Sequence, residues 1–425
     1  MDLIALAVPF FLIALVVELG VDRFRGTGFY RLNDALNSLS AGALSTTFGY
    51  FTKLLPIYLA GVLVQPYALF DIDASLFDTS ARGLGCWLAV ILAWDFCYYW
   101  AHRAGHEVSL LWAAHAVHHQ SEEYNLSTAL RQTSTDLYTW LFYLPLFLAG
   151  IPVEVIATAN AIDLIYQFWV HTRMVGRLGW LDRVFVTPSN HRVHHAQNPV
   201  YIDRNYGGIL IIWDRLFGSF QEELDEEPVR FGVRKPLASW NPFWANLQVY
   251  DYLLHDARRA ARWGDKLGIW FRRTGWRPPD VERQYPVLQR RTDNFEKFDP
   301  PLQPGVRLYV LLQFLAAVLL VLALGLIYAR DGLAAVVLPC LMLWSGLLSL
   351  GWLLEGRPAA LRFELLRLLA ILPLISLAAI LLGRLPVNTT DYLSMLAGYL
   401  ALSLLGVVLV RRGAGLTTEH ANGPR

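Results

Sequence analysis

Nine of the chain's 11 histidines fall between residues 102 and 195, and their spacing repeats. His102 and His106 form H-x3-H. His115, His118 and His119 form H-x2-H-H, His171 stands alone, and His191, His194 and His195 form a second H-x2-H-H. On a helix, residues three and four apart share a face, so His102 and His106 point together, while His118 and His119 straddle the direction of His115 and the second triplet repeats this geometry. A lone histidine, or even an H-x3-H pair, is more often an ordinary surface or core residue than a ligand. Nine packed this densely beside apolar sequence would need many polar partners if they held no metal, at a cost in free energy. The set therefore reads as a metal site. It exceeds what one tetrahedral zinc uses, so two ions are the natural reading. Imidazole suits iron, copper, zinc and nickel alike, and spacing alone does not choose among them.

Two carboxylates accompany the histidines. Asp95 lies about two turns before His102 in an apolar run, where an ionisable group is expensive. It is a candidate to accept the second N–H of a metal-bound imidazole; the bland alternative is a polar residue facing other helices. Glu107 directly follows His106 and is a candidate to orient a ligand, contact a cofactor or relay protons, against the reading of a solvated helix end. Tyr124, Asn125, Ser127, Thr128, Arg131 and Gln132 either line the polar end of a substrate site or pack and cap helices. Asn205, Tyr206, Gly207 and Gly208 read as a turn, and Asp214 with Arg215 as a structural pair. Thr187 reads as the N-cap and Pro188 as the first turn of the helix carrying the second triplet.

The elements that must hold these groups are membrane helices. Hydrophobic residues make up 55% of the chain, charged residues 17%, and mean hydropathy is +0.36. Such a chain cannot cover itself with polar surface in water. Its 15 Trp and 19 Tyr suit the bilayer–water boundary. A net charge of +1 gives no basis for a nucleic-acid partner. Cys86, Cys97 and Cys340 lie in apolar runs without ligand spacing and read as small core residues.

Apolar runs of spanning length predict nine crossings: Leu3–Leu19, a longer stretch Leu36–Phe70 interrupted by Lys53 and Pro56, and Leu84–Trp100. A hairpin follows, Leu137–Ala149 with Val153–Val170. Four more runs complete the set, Val306–Tyr328, Gly332–Leu354, Leu365–Leu382 and Leu393–Val410. The first run has no basic n-region or cleavage site and reads as a retained span. Arg367, in the first turn of the eighth run, is expected to snorkel to the interface. Basic residues concentrate after the first, seventh and ninth runs, which predicts the N-terminus outside, the C-terminus inside and the histidines on the cytoplasmic side. Between Gln221 and Pro304, apolar residues recur at helical spacing among arginines, the pattern of amphipathic helices on a membrane or capping a core. The division is then residues 1–83, N-terminal spans; 84–222, a histidine-bearing catalytic core; 223–304, a cytoplasmic amphipathic cap; and 305–425, C-terminal spans and tail. The fold class is all-α.

At the histidine motifs the sequence resembles the fatty acid hydroxylase (sterol desaturase) superfamily of integral membrane di-iron enzymes. Its signature of H-x3-H, H-x2-H-H and H-x2-H-H is present in order, and the match covers about residues 84–222. Within that superfamily, DFCYYWAHRAGHE, WAAHAVHHQSEEYNLSTALRQ, QFWVHT, TPSNHRVHHAQNP and DRNYGGILIIWDRLFGSF look like the alkylglycerol monooxygenase family. The likeness runs on through NPFWANLQ and WGDKLGIWFRRTGWRPP. The resemblance implies two irons per chain held by the nine histidines, O2 as oxidant, tetrahydrobiopterin as reductant and a lipid substrate in the membrane. The implied reaction hydroxylates the carbon beside an ether oxygen, after which the ether falls apart to an aldehyde and a glycerol. Glu107 matches a family glutamate that the resemblance ties to activity, through the pterin. Asn190 stands where animal relatives are expected to carry His. No His-Pro-Gly-Gly haem motif occurs, so electrons come from an external donor, either a diffusible reductant or a separate protein. The rivals are a sterol, carotenoid or fatty acyl hydroxylase or desaturase of the same superfamily and, from another class, a membrane metal transporter or sensor. Transporters usually carry their ionisable ligands within the spans.

Overall fold

The computed structural model describes residues 3–52, 54–287 and 295–421, so Lys53 lies outside the described residues. The fold is all-helical; among the described residues β pairing is limited to three isolated bridges. In chain order the helices are α1 (Leu3–Arg25), α2 (Leu32–Thr52), α3 (Leu54–Leu63), α4 (Ala81–Glu107), α5 (Ser109–His119) and α6 (Leu126–Ala129). Next come α7 (Leu144–Leu148), α8 (Val153–Trp169), α9 (Pro188–His194), α10 (Ile212–Phe217), α11 (Pro242–Arg259), α12 (Trp263–Gly268) and α13 (Pro279–Gln284). The last five are α14 (Pro304–Asp331), α15 (Leu333–Leu354), α16 (Ala360–Leu366), α17 (Leu372–Leu381) and α18 (Thr389–Ala421). The chain forms two compact units. One comprises residues 1–39, 52–237 and 246–297, the other residues 40–51, 238–245 and 298–425.

Among the described residues, five helices are long and apolar enough to cross a membrane: Ala81–Glu107, Pro304–Asp331, Leu333–Leu354, Ala360–Leu381 and Thr389–Arg411. They coincide with the third and the last four predicted runs. The hairpin differs from expectation. Its first arm is a helical stretch of only Thr139–Leu148, roughly 15 Å long against a hydrocarbon core of roughly 30 Å. It ends at Gly150, whose positive φ of 83° and close approach to the Phe70 carbonyl admit no side chain. Around this turn Val90, Trp94, Phe147, Ile151 and Val155 form a buried apolar cluster that fixes α4 against α7 and α8.

α4 is the spine of the first unit. Ser80 caps it by accepting from Gly83 N. It runs unbroken through His102 and His106, so this pair sits on the last turns of the span itself and not on a separate short helix. The chain reverses at extended Val108, which is both the end of α4 and the start of α5. The segment after α12 holds that corner: Leu110 N donates to Trp270 O, Ser109 N to Arg272 O, and Thr274 N to Glu107 O. Leu253, Ala257 and Ile269 bury themselves against Ala113 of α5. Leu247, Leu254, Trp263, Leu267 and Phe271 are left exposed among the arginines of this region.

Candidate metal centre

The structure brings all nine histidines together in two groups. His102, His106, His115, His119 and His194 form one, and His118, His171, His191 and His195 the other. Within each group the candidate ligand atoms all lie within 4.8 Å of one another. Each triplet is split: adjacent side chains on a helix diverge by about 100°, so His118 and His119 face different groups, as do His194 and His195. His115 is half-buried and the other eight are buried.

Four imidazoles are oriented by backbone carbonyls. His102 Nδ1 donates to Tyr206 O at 2.8 Å, His118 Nδ1 to Arg131 O at 2.9 Å, His171 Nδ1 to Gln167 O at 2.7 Å and His194 Nδ1 to Arg204 O at 3.0 Å. A carbonyl can only accept, so each Nδ1 carries the proton. Gln167 O is free for this because α8 ends there and its last carbonyls have no helical partner. Burial holds His115, His119, His171, His191, His194 and His195 well below the ordinary imidazole value, reinforced by mutual repulsion, and pushes His118 down to about 4. The rings are therefore neutral, and the Nε2 atoms of His118 and His171 are bare lone pairs. They stand 3.1 Å apart. Two acceptors cannot hydrogen-bond each other, and a cation between them relieves the repulsion. His106 Nε2 and His194 Nε2 are likewise buried without a hydrogen-bond partner among the described residues. This donor set fits metal ions.

Asp95 does not meet an imidazole, which corrects the expectation for it. Its fully buried carboxylate accepts from Ile209 N at 2.7 Å, Leu210 N at 3.0 Å and Trp213 Nε1 at 2.9 Å. The two backbone donors belong to the loop whose Arg204 and Tyr206 carbonyls accept from His194 and His102, and Trp213 to the start of α10. Asp214 holds the same loop, accepting from Tyr206 N at 2.7 Å, Gly207 N at 2.8 Å and Ser219 Oγ at 2.7 Å. It is not paired with Arg215, whose guanidinium lies over the Phe220 ring and donates to Arg183 O. The predicted turn is present, with Asn205 at φ 56°. Gly208 packs so tightly that an added Cβ would stand 2.8 Å from Asp163 Oδ1 and 2.9 Å from Asp95 Oδ1. Asp95 and Asp214 thus both tie down the backbone of the loop that carries the Arg204 and Tyr206 carbonyls.

Glu107 is a third exposed and pairs with Arg103 at 3.1 Å. Both line a polar cavity of about 410 Å³ whose wall also includes Asp203, Arg204 and Arg273. The polar residues after the first triplet resolve mostly to packing. Asn125 and Thr128 form a reciprocal capping box, Tyr124 donates to Val170 O, and buried Arg131 donates to Val117 O and Gln120 Oε1. Thr187 sits at the N-cap position but makes no capping bond; its hydroxyl goes to Asp182. Asn190 donates to Asp182 O and Phe185 O, each at 3.0 Å. Sequence reasoning did not single out Tyr206 by itself. Its ring packs on His106 and its buried hydroxyl has no hydrogen-bond partner among the described residues.

The fatty acid hydroxylase family profile matches residues 87–219. The alkylglycerol monooxygenase of Xenopus tropicalis is 35% identical over 87% of this chain and 81% of its own length. The Homo sapiens alkylglycerol monooxygenase is 35% identical over 88% and 82%. An ornithine lipid hydroxylase from Rhizobium tropici is 35% identical over 36% of this chain and 46% of its own length. No solved structure matches the chain significantly.

Proposed function

The chain belongs to the alkylglycerol monooxygenase family within the fatty acid hydroxylase superfamily and is an oxidoreductase, and from that premise we propose that it is a di-iron membrane monooxygenase cleaving alkylglycerols. The observation that carries this reading is the pair of converging histidine groups with bare lone pairs face to face. The five-histidine group would hold one iron and the four-histidine group the other. When bound, such an iron pair supplies the activation of O2 and the C–H cleavage that protein side chains cannot perform.

The reaction balances as a monooxygenation. One oxygen atom of O2 enters the CH2 beside the ether oxygen, the other leaves as water, and two electrons and two protons are consumed. The product is a hemiacetal, which collapses to a fatty aldehyde and a glycerol. The protein orients the imidazoles through backbone carbonyls, keeps them neutral by burial, and keeps bulk water from the centre. Asp95 and Asp214 are positioning residues in this scheme, acting on His102 and His194 through the 203–214 loop.

Tetrahydrobiopterin is the proposed electron donor, and the polar cavity lined by Arg103 and Glu107 is its proposed seat. The cavity's volume lies within the usual range for small-molecule sites. Glu107 offers the carboxylate that a pterin's ring N–H and amine would engage. In the bilayer we read the five long apolar helices as crossings, with the N-terminus outside and the C-terminus inside, residues 84–222 as the catalytic core and 305–425 as C-terminal spans. The exposed Trp263, Leu267 and Phe271 lie at the cytoplasmic interface in this reading. Support comes from the distribution of basic loops and the exposed apolar side chains.

The test is turnover of an alkylglycerol by detergent-purified protein supplied with tetrahydrobiopterin. Pterin-dependent O2 uptake with aldehyde release in equal amount is expected. Iron-loaded, folded protein that oxidises sterols or acyl chains but no ether lipid overturns the substrate assignment.

A further inference from the structure

The C-terminal unit contains a cavity that the proposed reaction does not use. It measures about 780 Å³, and its walls are almost wholly apolar. One face of α14 lines it from Gln313 through Ala316 and Ala323 to Arg330. That is roughly 25 Å of helix, most of the thickness of a hydrocarbon core.

One end carries a buried charge network. Arg367 was expected to reach the interface, yet it is only 3% exposed. Glu364, one turn earlier, holds it: Arg367 Nε donates to Oε2 at 2.8 Å and Nη2 to Oε1 at 2.7 Å. Nη2 also reaches Gln313 Oε1 at 3.0 Å and Tyr399 OH at 2.9 Å. The Tyr309 and Ser349 hydroxyls donate to the same carboxylate. The pair is neutral overall and its carboxylate is fully engaged. One group is left over. Arg367 Nη1 makes no hydrogen bond among the described residues, and Arg367 lines the cavity together with Gly346. A Cβ on Gly346 would stand 3.7 Å from Nη1. The helix widens to a π turn over Arg367–Ile371, where Pro373 cannot donate to the Leu369 carbonyl. Such turns recur at functional sites.

We propose that this cavity binds one neutral long-chain lipid, whose uncharged hydroxyl or carbonyl oxygen accepts from Arg367 Nη1 while its chain lies along α14. The charge state selects the class. A carboxylate or phosphate head would bring a second negative charge beside Glu364 in a low-dielectric setting. A plain hydrocarbon would leave the Nη1 donors unpaired. The site lies wholly within the C-terminal unit and does not depend on the catalytic reading.

The experiment uses the full chain in phosphatidylcholine nanodiscs with a diazirine-bearing hexadecanol, and maps labelled peptides by mass spectrometry. Saturable labelling in α14 and α15 is expected. Unlabelled hexadecanol should compete about tenfold better than hexadecane, the factor given by about 1.4 kcal/mol for one hydrogen bond. Hexadecanoate should also compete worse than hexadecanol. Ala323→Phe, which fills the cavity away from the charge network, should bring labelling to background. Hexadecane competing as well as hexadecanol, or labelling that does not saturate, overturns the proposal. Because the competition series uses the native chain, it decides the matter even where Ala323→Phe is unstable.

Discussion

In the C-terminal unit, Arg367 and Glu364 neutralise each other, and three hydroxyls and an amide close the network around them. In the first unit, His118 and His171 bring lone pair against lone pair within a cluster of nine histidines. Both clusters are buried and polar, but only the first is nearly complete in itself. A self-satisfied network fixes how helices pack. A set of acceptors facing one another is a demand for a cation, and here the backbone carbonyls that fix Nδ1 ensure that Nε2 has nothing else to do.

The largest expected effect is on the histidines. His118→Ala removes a lone pair from the four-histidine group, and lipid turnover should fall by at least about 100-fold, with bound iron dropping measurably. Retention of both would show that the group is not a metal site. Glu364→Gln is expected to cost about 3–5 kcal/mol of stability, because it strands a buried guanidinium. A double change, Glu364→Leu with Arg367→Met, should recover most of that loss in a thermal-unfolding assay. If the double variant is as unstable as the single one, the ion pair is not what the Gln variant disturbed.

Asp95→Asn should cost about 1–3 kcal/mol, since the amide keeps one acceptor oxygen and turns its NH2 toward the donor, Ile209 N or Leu210 N, on the other side. Turnover should fall with it while part of the iron remains, as suits a residue that acts through the loop. Glu107→Gln should raise the KM for the pterin by about tenfold with iron content unchanged, the scale of one charge-assisted hydrogen bond. An unchanged KM would remove Glu107 from the reductant site.

Acid separates the two clusters further. His118 is lowered to about 4, against about 6.5 in the unfolded chain. As pH falls below about 6.5 the unfolded chain takes up protons first, so the metal-free protein loses stability down through pH 4. Bound metal should be released over the same range, because protons compete for the same Nε2 lone pairs. Iron retained at full occupancy at pH 4 would contradict this.

The histidines were legible because metal ligation demands particular side chains at particular spacings. The four C-terminal helices were legible because lipid demands long apolar runs. What orients the imidazoles was not legible. The carbonyls of Arg131, Gln167, Arg204 and Tyr206 leave no mark on residue type. Asp95 stood out as an ionisable group in a span, yet its partners lie more than a hundred residues along the chain, and two of the three are backbone N–H groups. Arg367 was visible as a charge, but its placement depended on Glu364 lying one turn before it, on a helix that begins earlier than the apolar run suggested.

The central claim is tested most directly by counting metals in full-length, detergent-purified protein expressed with ample iron and shown to be folded and active. About two irons per chain are expected, one for each histidine group. Active protein with one metal or none per chain would contradict the di-iron account.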